Sequence, residues 1–389
     1  MLEHGGDIKG FQEEYGTRPL DFSANIAPCG VPEKVREAVC AAVDDAINYP
    51  DPLCRSLVRA LAAHEQVSEH AVLCGNGSSD LLFRLVLALK PKRALLCAPT
   101  FAEYEQALTT VGATLDFYTL SARNGFTLGA DFLEHITPAT NLVVLCQPNN
   151  PTGVILPPEL LHAILQKCEE VGATLLIDEC FVGFLDEAPD ISVVSWVKEH
   201  PCLVVLKAFT KLYGIPGIRL GYALCSNGKL LEAMRAAGQP WSVSNVAQAA
   251  GVAALECIEY VEEVRSITHT QRAFLKCELA ARGITAWGEA NFLLFCISEQ
   301  PGAATFVQQM REHGVLVRDC SNYRTLEQGW YRIAVRTHEE NERLLQAMDA
   351  VLHARASQGA PQNNAQALPH NNLEKGADKT PATPERTQQ

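Results

Sequence analysis

The chain has 389 residues, 47% hydrophobic and 20% charged, an ordinary globular composition and enough for two packed domains at about 150 residues each. Wholesale disorder and a collagen-like fibre are excluded. With 32 Lys and Arg against 45 Asp and Glu the net charge is −13, which disfavours a broad footprint for nucleic acid or anionic lipid, so any anionic ligand must be held by a few local cations.

In chain order, residues 1–45 hold too little apolar material to fold alone and are expected to pack with a small domain further on. Residues 74–80 (CGNGSSD) run from a short apolar strand into a helix at 80–89. Strands buried on both faces are expected at 94–97, 142–146, 174–177 and 203–206, and further helical periodicity lies at 102–111 and 159–171. This alternation predicts an α/β fold with a mostly parallel, doubly wound sheet. After Ser242 the pattern turns helical, 245–265 continuing as 266–282. A smaller α+β unit follows, with strands at 292–297, 315–318 and 331–335 and helices at 303–313 and 339–353. The plan is therefore an amino-terminal segment (1–45), a large domain (46–265), a small domain (266–356) and a tail (357–389). The tail has no aromatic residue and two leucines, too few to offset ordering entropy, and is expected to be disordered.

No apolar stretch reaches the roughly 18 residues of a membrane span, and residues 1–10 lack the charged-then-apolar order of a secretory signal, so a cytoplasmic protein is expected. Fourteen cysteines include no CxxC pair and several lie in apolar runs such as 94–99 (ALLCAP), which reads as buried, reduced thiols. Eleven histidines show no HExxH spacing, and no metal is expected.

Four segments can carry chemistry. In 208–222 (AFTKLYGIPGIRLGY), Lys211 follows Thr210 directly after an expected buried strand, and Arg219 lies beyond a Pro216-Gly217 turn. Such a lysine can be a Schiff-base nucleophile if desolvation and nearby cations lower its pKa; taken alone, a solvated loop lysine is the simpler reading. Residues 146–153 (CQPNNPTG) and 175–184 (LLIDECFVGF) place Asn150 and Asp178 at the ends of two more strands. Open α/β sheets bind ligands beyond their carboxyl ends, so these residues should converge with Lys211. A carboxylate there can keep a heteroaromatic nitrogen protonated, as a pyridine electron sink requires, although singly Asp178 could be a helix cap and Asn150 a turn residue. In CGNGSSD the backbone amides with the Ser78 and Ser79 hydroxyls suit a phosphate or a simple cap. A dinucleotide motif fails there because Asp80 stands where GxGxxG needs glycine. Finally, Arg318 and Arg332 come from adjacent expected strands of the small domain, and guanidinium forks match carboxylate and phosphate; either alone could be a surface ion pair.

Together these segments resemble the fold type I enzymes that use pyridoxal 5'-phosphate, over nearly the whole chain from His4 to about His353. The resemblance implies that Lys211 is the Schiff-base lysine, that Asp178 pairs with the ring nitrogen and that Asn150 bonds the 3'-oxygen. It implies that Gly77, Ser78, Ser79, Thr210 and Arg219 hold the cofactor phosphate and that Phe101, in PTFAEY, stacks on the ring. Tyr49, in NYPDP, matches a tyrosine that reaches the phosphate of the neighbouring subunit, which implies a homodimer with shared active sites.

Within that superfamily the chain looks most like the threonine-phosphate decarboxylases of cobalamin biosynthesis, relatives of the histidinol-phosphate aminotransferases. The carrying features are HGGD at 4–7, FSANIAP at 22–28, DECF at 178–181, QPWSVSN at 239–245 and YRIAVRTHEEN at 331–341. By this resemblance Arg332 takes the substrate carboxylate, and His4, Asn25 and Arg318 help with the substrate phosphate, with Arg336 a further candidate. Three residues depart from the pattern. Asp7 replaces an asparagine and puts an anion near the phosphate site, Ala208 replaces a hydroxyl residue, and Phe181 replaces the tyrosine that bonds the 3'-oxygen in the aminotransferases.

The implied reaction is decarboxylation of L-threonine O-3-phosphate to (R)-1-amino-2-propanol O-2-phosphate. Transamination of histidinol phosphate stays open, because the same lysine, aspartate and arginines serve both. So does O-phosphoserine as substrate, since a methyl group is worth only about 1–3 kcal/mol of discrimination. A ligand-binding relative without catalysis is the reading from another class.

Overall fold

The computed structural model describes residues 5–185, 188–298 and 305–356; His4 and the tail 357–389 lie outside them. In chain order the strands are β1 (Leu20–Asp21), β2 (Val72–Gly75), β3 (Arg93–Ala98), β4 (Thr114–Thr119), β5 (Leu142–Cys146), β6 (Thr174–Asp178), β7 (Leu203–Ala208), β8 (Gly221–Leu224), β9 (Ala286–Trp287), β10 (Phe292–Cys296), β11 (Val315–Leu316), β12 (Arg318–Asp319) and β13 (Trp330–Ala334). Seven of them form the central sheet in the order β2-β8-β7-β6-β5-β3-β4. Only β8 runs against its neighbours.

The central strands lack polar alternation because both faces are covered. Val143, Leu145, Leu175, Ile177 and Val205 point into one apolar core, and Leu142, Val144, Leu176, Val204 and Leu206 into the other. Each successive side chain thus finds a dry partner layer on its own side of the pleat. The flanking helices begin and end where local chemistry dictates. Pro158–Val171 carries a proline in its first turn and stops at Gly172, whose φ of 74° lets its N–H return to the Cys168 carbonyl. The strand order reverses at β3, with β4 on one side and β5 on the other. That switch point opens a crevice beyond the strand carboxyl ends.

The expected helical run 245–282 is two helices, Asn245–Leu255 and Ile258–Ala281. Cys257 leaves helical geometry at ψ 58°, and the two pieces face different partners. The first packs on helix Glu33–Ala42. The second carries Val264 into a cluster with Phe181 and Phe184, then Leu275 and Leu279 into the core under the second sheet. A boundary at 265/266 therefore falls inside one unbroken helix.

The second sheet is antiparallel, in the order β12-β13-β10-β9. The amino-terminal segment divides between the two units. β1 pairs in parallel with β11 and Phe22 enters the smaller core, whereas Glu33–Ala42 belongs to the larger one. This also explains why the single strand expected at 315–318 is split: Val315 and Leu316 pair with β1, while Arg318 and Asp319 pair with β13. All fourteen cysteines are free, seven of them buried. Among the described residues no helix is long and apolar enough to cross a membrane, and no group of His, Cys, Asp and Glu could hold a metal ion.

Candidate active site

A cavity of about 250 Å³ opens at the switch point. Phe101 enters it from the segment after β3, Asn150 from the loop after β5, Asp178 from the end of β6, and Thr210 with Lys211 from the exit of β7. Ser78 and Ser79 reach it from the start of helix Ser78–Leu89, and Arg219 from the turn before β8. The smaller unit adds Arg318 and Arg332, and the amino-terminal segment adds Asn25. Residues 307 positions apart in sequence, Asn25 and Arg332, thus line one cavity.

The side-chain amine of Lys211 makes no hydrogen bond or ion pair among the described residues. Burial lowers its pKa from the ordinary lysine value, and the guanidinium groups of Arg332 and Arg219 add to the effect. An amine so placed is kept nucleophilic, because its charged form lacks both water and a counter-ion at bonding distance. Its backbone carbonyl is fixed by the N–H of Ala27 at 3.0 Å.

Asp178 is buried. Tyr104 donates its hydroxyl proton to Oδ2 at 2.7 Å, and the N–H of Cys180 donates to Oδ1 at 2.9 Å. Two donors orient the carboxylate while leaving it acceptor capacity for a third. Phe181 packs edge-to-face on Phe292, with ring centroids 4.9 Å apart, and closes the cavity floor as apolar surface where a tyrosine hydroxyl would have stood.

The start of helix Ser78–Leu89 presents unbonded backbone N–H groups, and the Ser79 and Thr210 hydroxyls open beside it. Gly77, next to this helix start, has φ +88°, and a Cβ there would stand 2.6 Å from Arg219 Nη2. Its missing side chain is the space the guanidinium occupies. Asp80 tightens the same loop, accepting from Asn76 N at 2.9 Å and from Arg84 Nε at 2.9 Å.

On the opposite wall Arg318 and Arg332 are direct cross-strand partners, which sets their side chains on one face of the sheet. Arg332 donates to Asn150 Oδ1 at 2.5 Å and to the Ser23 carbonyl at 3.0 Å. Arg318 donates to Asn322 Oδ1 at 2.9 Å and lies over the Tyr323 ring at 5.3 Å. Two buried polar atoms here, Asn25 Oδ1 and Arg332 Nε, have no hydrogen-bond partner among the described residues. Such atoms are costly unless a ligand or water meets them.

Three residues named from the sequence lie elsewhere. Asp7 caps helix Ile8–Tyr15, its side chain accepting from Gly10 N at 3.0 Å; the anion is used by the helix start and does not line the cavity. Arg336 pairs with Glu340 at 2.8 Å. Tyr49 is 79% exposed and stacks on Trp241 at 4.6 Å, outside this chain's own cavity. In return the structure brings in Glu103, Tyr104, Cys180 and Tyr323, which the sequence reading passed over. The one available signal was the pair of polar groups in PTFAEY, since a buried tyrosine hydroxyl needs a partner.

A desolvated amine, a buried carboxylate oriented by two donors and a glycine-opened anion cradle fit a phosphorylated pyridine aldehyde. Fold and site define an enzyme dependent on pyridoxal 5'-phosphate. The chain belongs to the family of class I and II aminotransferases, which matches residues 17–348. It is 35% identical to the threonine-phosphate decarboxylase of Salmonella typhimurium, over 90% of this chain and 96% of that one. It is 32% identical to histidinol-phosphate aminotransferase 2 of Ralstonia nicotianae, over 90% and 93%. The crystal structure of the histidinol-phosphate aminotransferase from Clostridium acetobutylicum superposes with a TM-score of 0.81 at 26% identity, covering 86% of this chain and 99% of that one.

Proposed function

We propose that the chain decarboxylates L-threonine O-3-phosphate to (R)-1-amino-2-propanol O-2-phosphate, a step of cobalamin biosynthesis, as a cytoplasmic homodimer. The supporting observation is the direct pairing of Arg318 with Arg332 across β12 and β13, both facing the cavity of Lys211. Two guanidinium groups on one wall suit a substrate with two anions, a carboxylate and a phosphate. The decarboxylase relative at 35% identity supports the same reading.

Bound in the cavity, pyridoxal phosphate supplies an electron-withdrawing pyridine ring and an aldehyde. The loop at Gly77 with Ser78, Ser79, Thr210 and Arg219 would hold its phosphate, and Phe101 would cover its ring. Asp178, oriented by Tyr104 and Cys180, would keep a proton on the ring nitrogen. Asn150 gives Oδ1 to Arg332, so its amide nitrogen is available for the 3'-oxygen. Lys211 is the amine that would hold the coenzyme's aldehyde carbon; once the substrate amine has taken its place there, the freed Lys211 amine would be positioned to deliver a proton to the substrate α-carbon or remove one. Arg332, braced by Asn150 and Ser23, would take the substrate carboxylate, and Arg318 with Asn25 and His4 the substrate phosphate. Fixing both ends sets the rotation about the α-carbon, and the bond held perpendicular to the ring plane is the one that breaks.

In this proposal residues 46–265 hold the coenzyme and 266–356 clamp the substrate. Ile47, Tyr49 and Trp241 are 89%, 79% and 46% exposed, an apolar surface that supports pairing with a second subunit, where Tyr49 would reach the partner's coenzyme phosphate. A second reading, transamination of histidinol phosphate, is favoured by the aminotransferase relative at 32% identity. Incubation of purified protein with threonine phosphate and no keto acid separates them. Release of CO2 supports the decarboxylase, and activity only with histidinol phosphate and 2-oxoglutarate overturns it; phosphoserine in parallel reports on the methyl group.

A further inference from the structure

The cavity assigned to a doubly anionic substrate also contains a carboxyl group that none of these roles uses. Glu103 lies in the first turn of helix Ala102–Thr109 and lines the cavity together with Lys211 and Arg318. Among the described residues, groups on several elements act on it. Lys211 stands at the exit of β7, Asp178 at the end of β6 and Arg318 on β12, while Tyr323, in the segment after β12, feels the Glu103 charge in turn. On its own helix Tyr104 is bonded to Asp178 and Glu105 to Arg324.

An ionised carboxylate in that wall would repel both anions of the substrate, by an amount that grows as the cavity dries. Burial pushes the Glu103 carboxyl up to about 7, with Asp178 adding to the rise and Lys211 and Arg318 opposing it. Loading the site moves the balance further the same way. A phosphorylated amino acid brings two negative groups, and each favours the neutral carboxyl. A neutral carboxyl is a hydrogen-bond donor, and a carboxylic acid kept protonated near neutral pH is a known way to bind an anion.

We propose that Glu103 is a specificity-determining residue at the phosphate end of the site, taking up a proton as the phosphorylated amino acid binds and donating it as a hydrogen bond to the substrate phosphate. Phosphate is the partner because Arg318, assigned above to the substrate phosphate, lines the cavity with Glu103 and acts on it, whereas Arg332, held by Asn150 and Ser23, is assigned to the carboxylate. The inference rests on the substrate assignment made above.

The test is calorimetric titration of the holoenzyme with 3-phosphooxybutanoate, the substrate skeleton without its amine, in buffers of different ionisation enthalpy. At about pH 8 the wild type is expected to take up close to one proton per site, and its apparent affinity to fall about tenfold per pH unit above the free carboxyl's pKa. Unphosphorylated 3-hydroxybutanoate should draw no proton. Glu103→Gln should bind the phosphorylated probe without proton uptake and with a flat pH profile. Wild-type binding of the probe without proton uptake, or equal uptake by wild type and Glu103→Gln, overturns the inference and leaves the substrate assignment standing. Failure of both proteins to bind the probe overturns the assignment and the inference with it.

Discussion

The Tyr104 hydroxyl donates to the buried Asp178 carboxylate at 2.7 Å, from a ring that is itself 1% exposed. A hydrogen bond to a charged acceptor in such a place is worth about 1.5–3 kcal/mol, so Tyr104→Phe should weaken coenzyme binding about tenfold to a hundredfold. Cys180 N–H would then be the remaining donor to the carboxylate. Titration of the apoenzyme with pyridoxal phosphate, followed by absorbance, measures the change. An unaltered dissociation constant would remove Asp178 from the ring-nitrogen role or Tyr104 from its support.

Lys211 carries a stated pH dependence. Its folded pKa lies below its unfolded value, so between the two the unfolded chain binds more protons and stability rises with pH. The contribution is complete above the ordinary lysine pKa and is lost as pH falls through the lowered folded value. Denaturant titration of the coenzyme-free protein at several alkaline pH values should show this rise, and Lys211→Met should flatten it. The same variant should form no borohydride-reducible adduct with pyridoxal phosphate.

The parts of the fold that could be read from the sequence are those where one local pattern decides the outcome. Strand β5 is five apolar residues with no alternation, and only burial on both faces accommodates that. Lys211, Asp178 and Asn150 are legible because each lies at the end of such a strand or within four residues beyond it. Tyr104 was not, since at its place in helix Ala102–Thr109 it has the spacing of an ordinary core residue and only the partner's position reveals its purpose. Arg318 and Val315 read as one strand because the competitor for Val315 is Leu20, 295 positions away. Asp7 erred the other way. Likeness to other chains put its charge near a phosphate, while the adjacent helix start already explained it.

Gly77 tests the anion cradle. With φ +88° and Arg219 Nη2 only 2.6 Å from a Cβ built there, Gly77→Ala combines backbone strain of about 1–3 kcal/mol with displacement of the guanidinium. A lower melting temperature and weaker pyridoxal phosphate binding are expected together. Gly217, whose added Cβ would meet nothing within 4 Å, is the control: Gly217→Ala should leave coenzyme affinity near the wild-type value.

Arg332→Lys keeps the charge and loses the fork that serves Asn150 and Ser23 at once. Two buried acceptors lose their donor, and on the proposed assignment the substrate carboxylate loses its bidentate partner. KM is expected to rise about tenfold to a hundredfold, and kcat to fall as well if the carboxylate also sets the rotation about the α-carbon. A change confined to KM would mean that Arg332 binds without orienting.

The exposed stack of Tyr49 on Trp241 decides whether the site is shared. If Tyr49 completes the coenzyme phosphate site of the other subunit, a Tyr49→Ala dimer and a Lys211→Ala dimer each lack a working site. Their random hybrid, however, contains one site with both residues intact and one with neither. Unfolding and refolding an equal mixture should therefore restore about a quarter of wild-type activity, as half of the dimers are hybrids with one good site each. Were Tyr49 to serve its own subunit instead, every site in the mixture would carry one lesion or the other, and the regained activity would not exceed that of the unmixed variants.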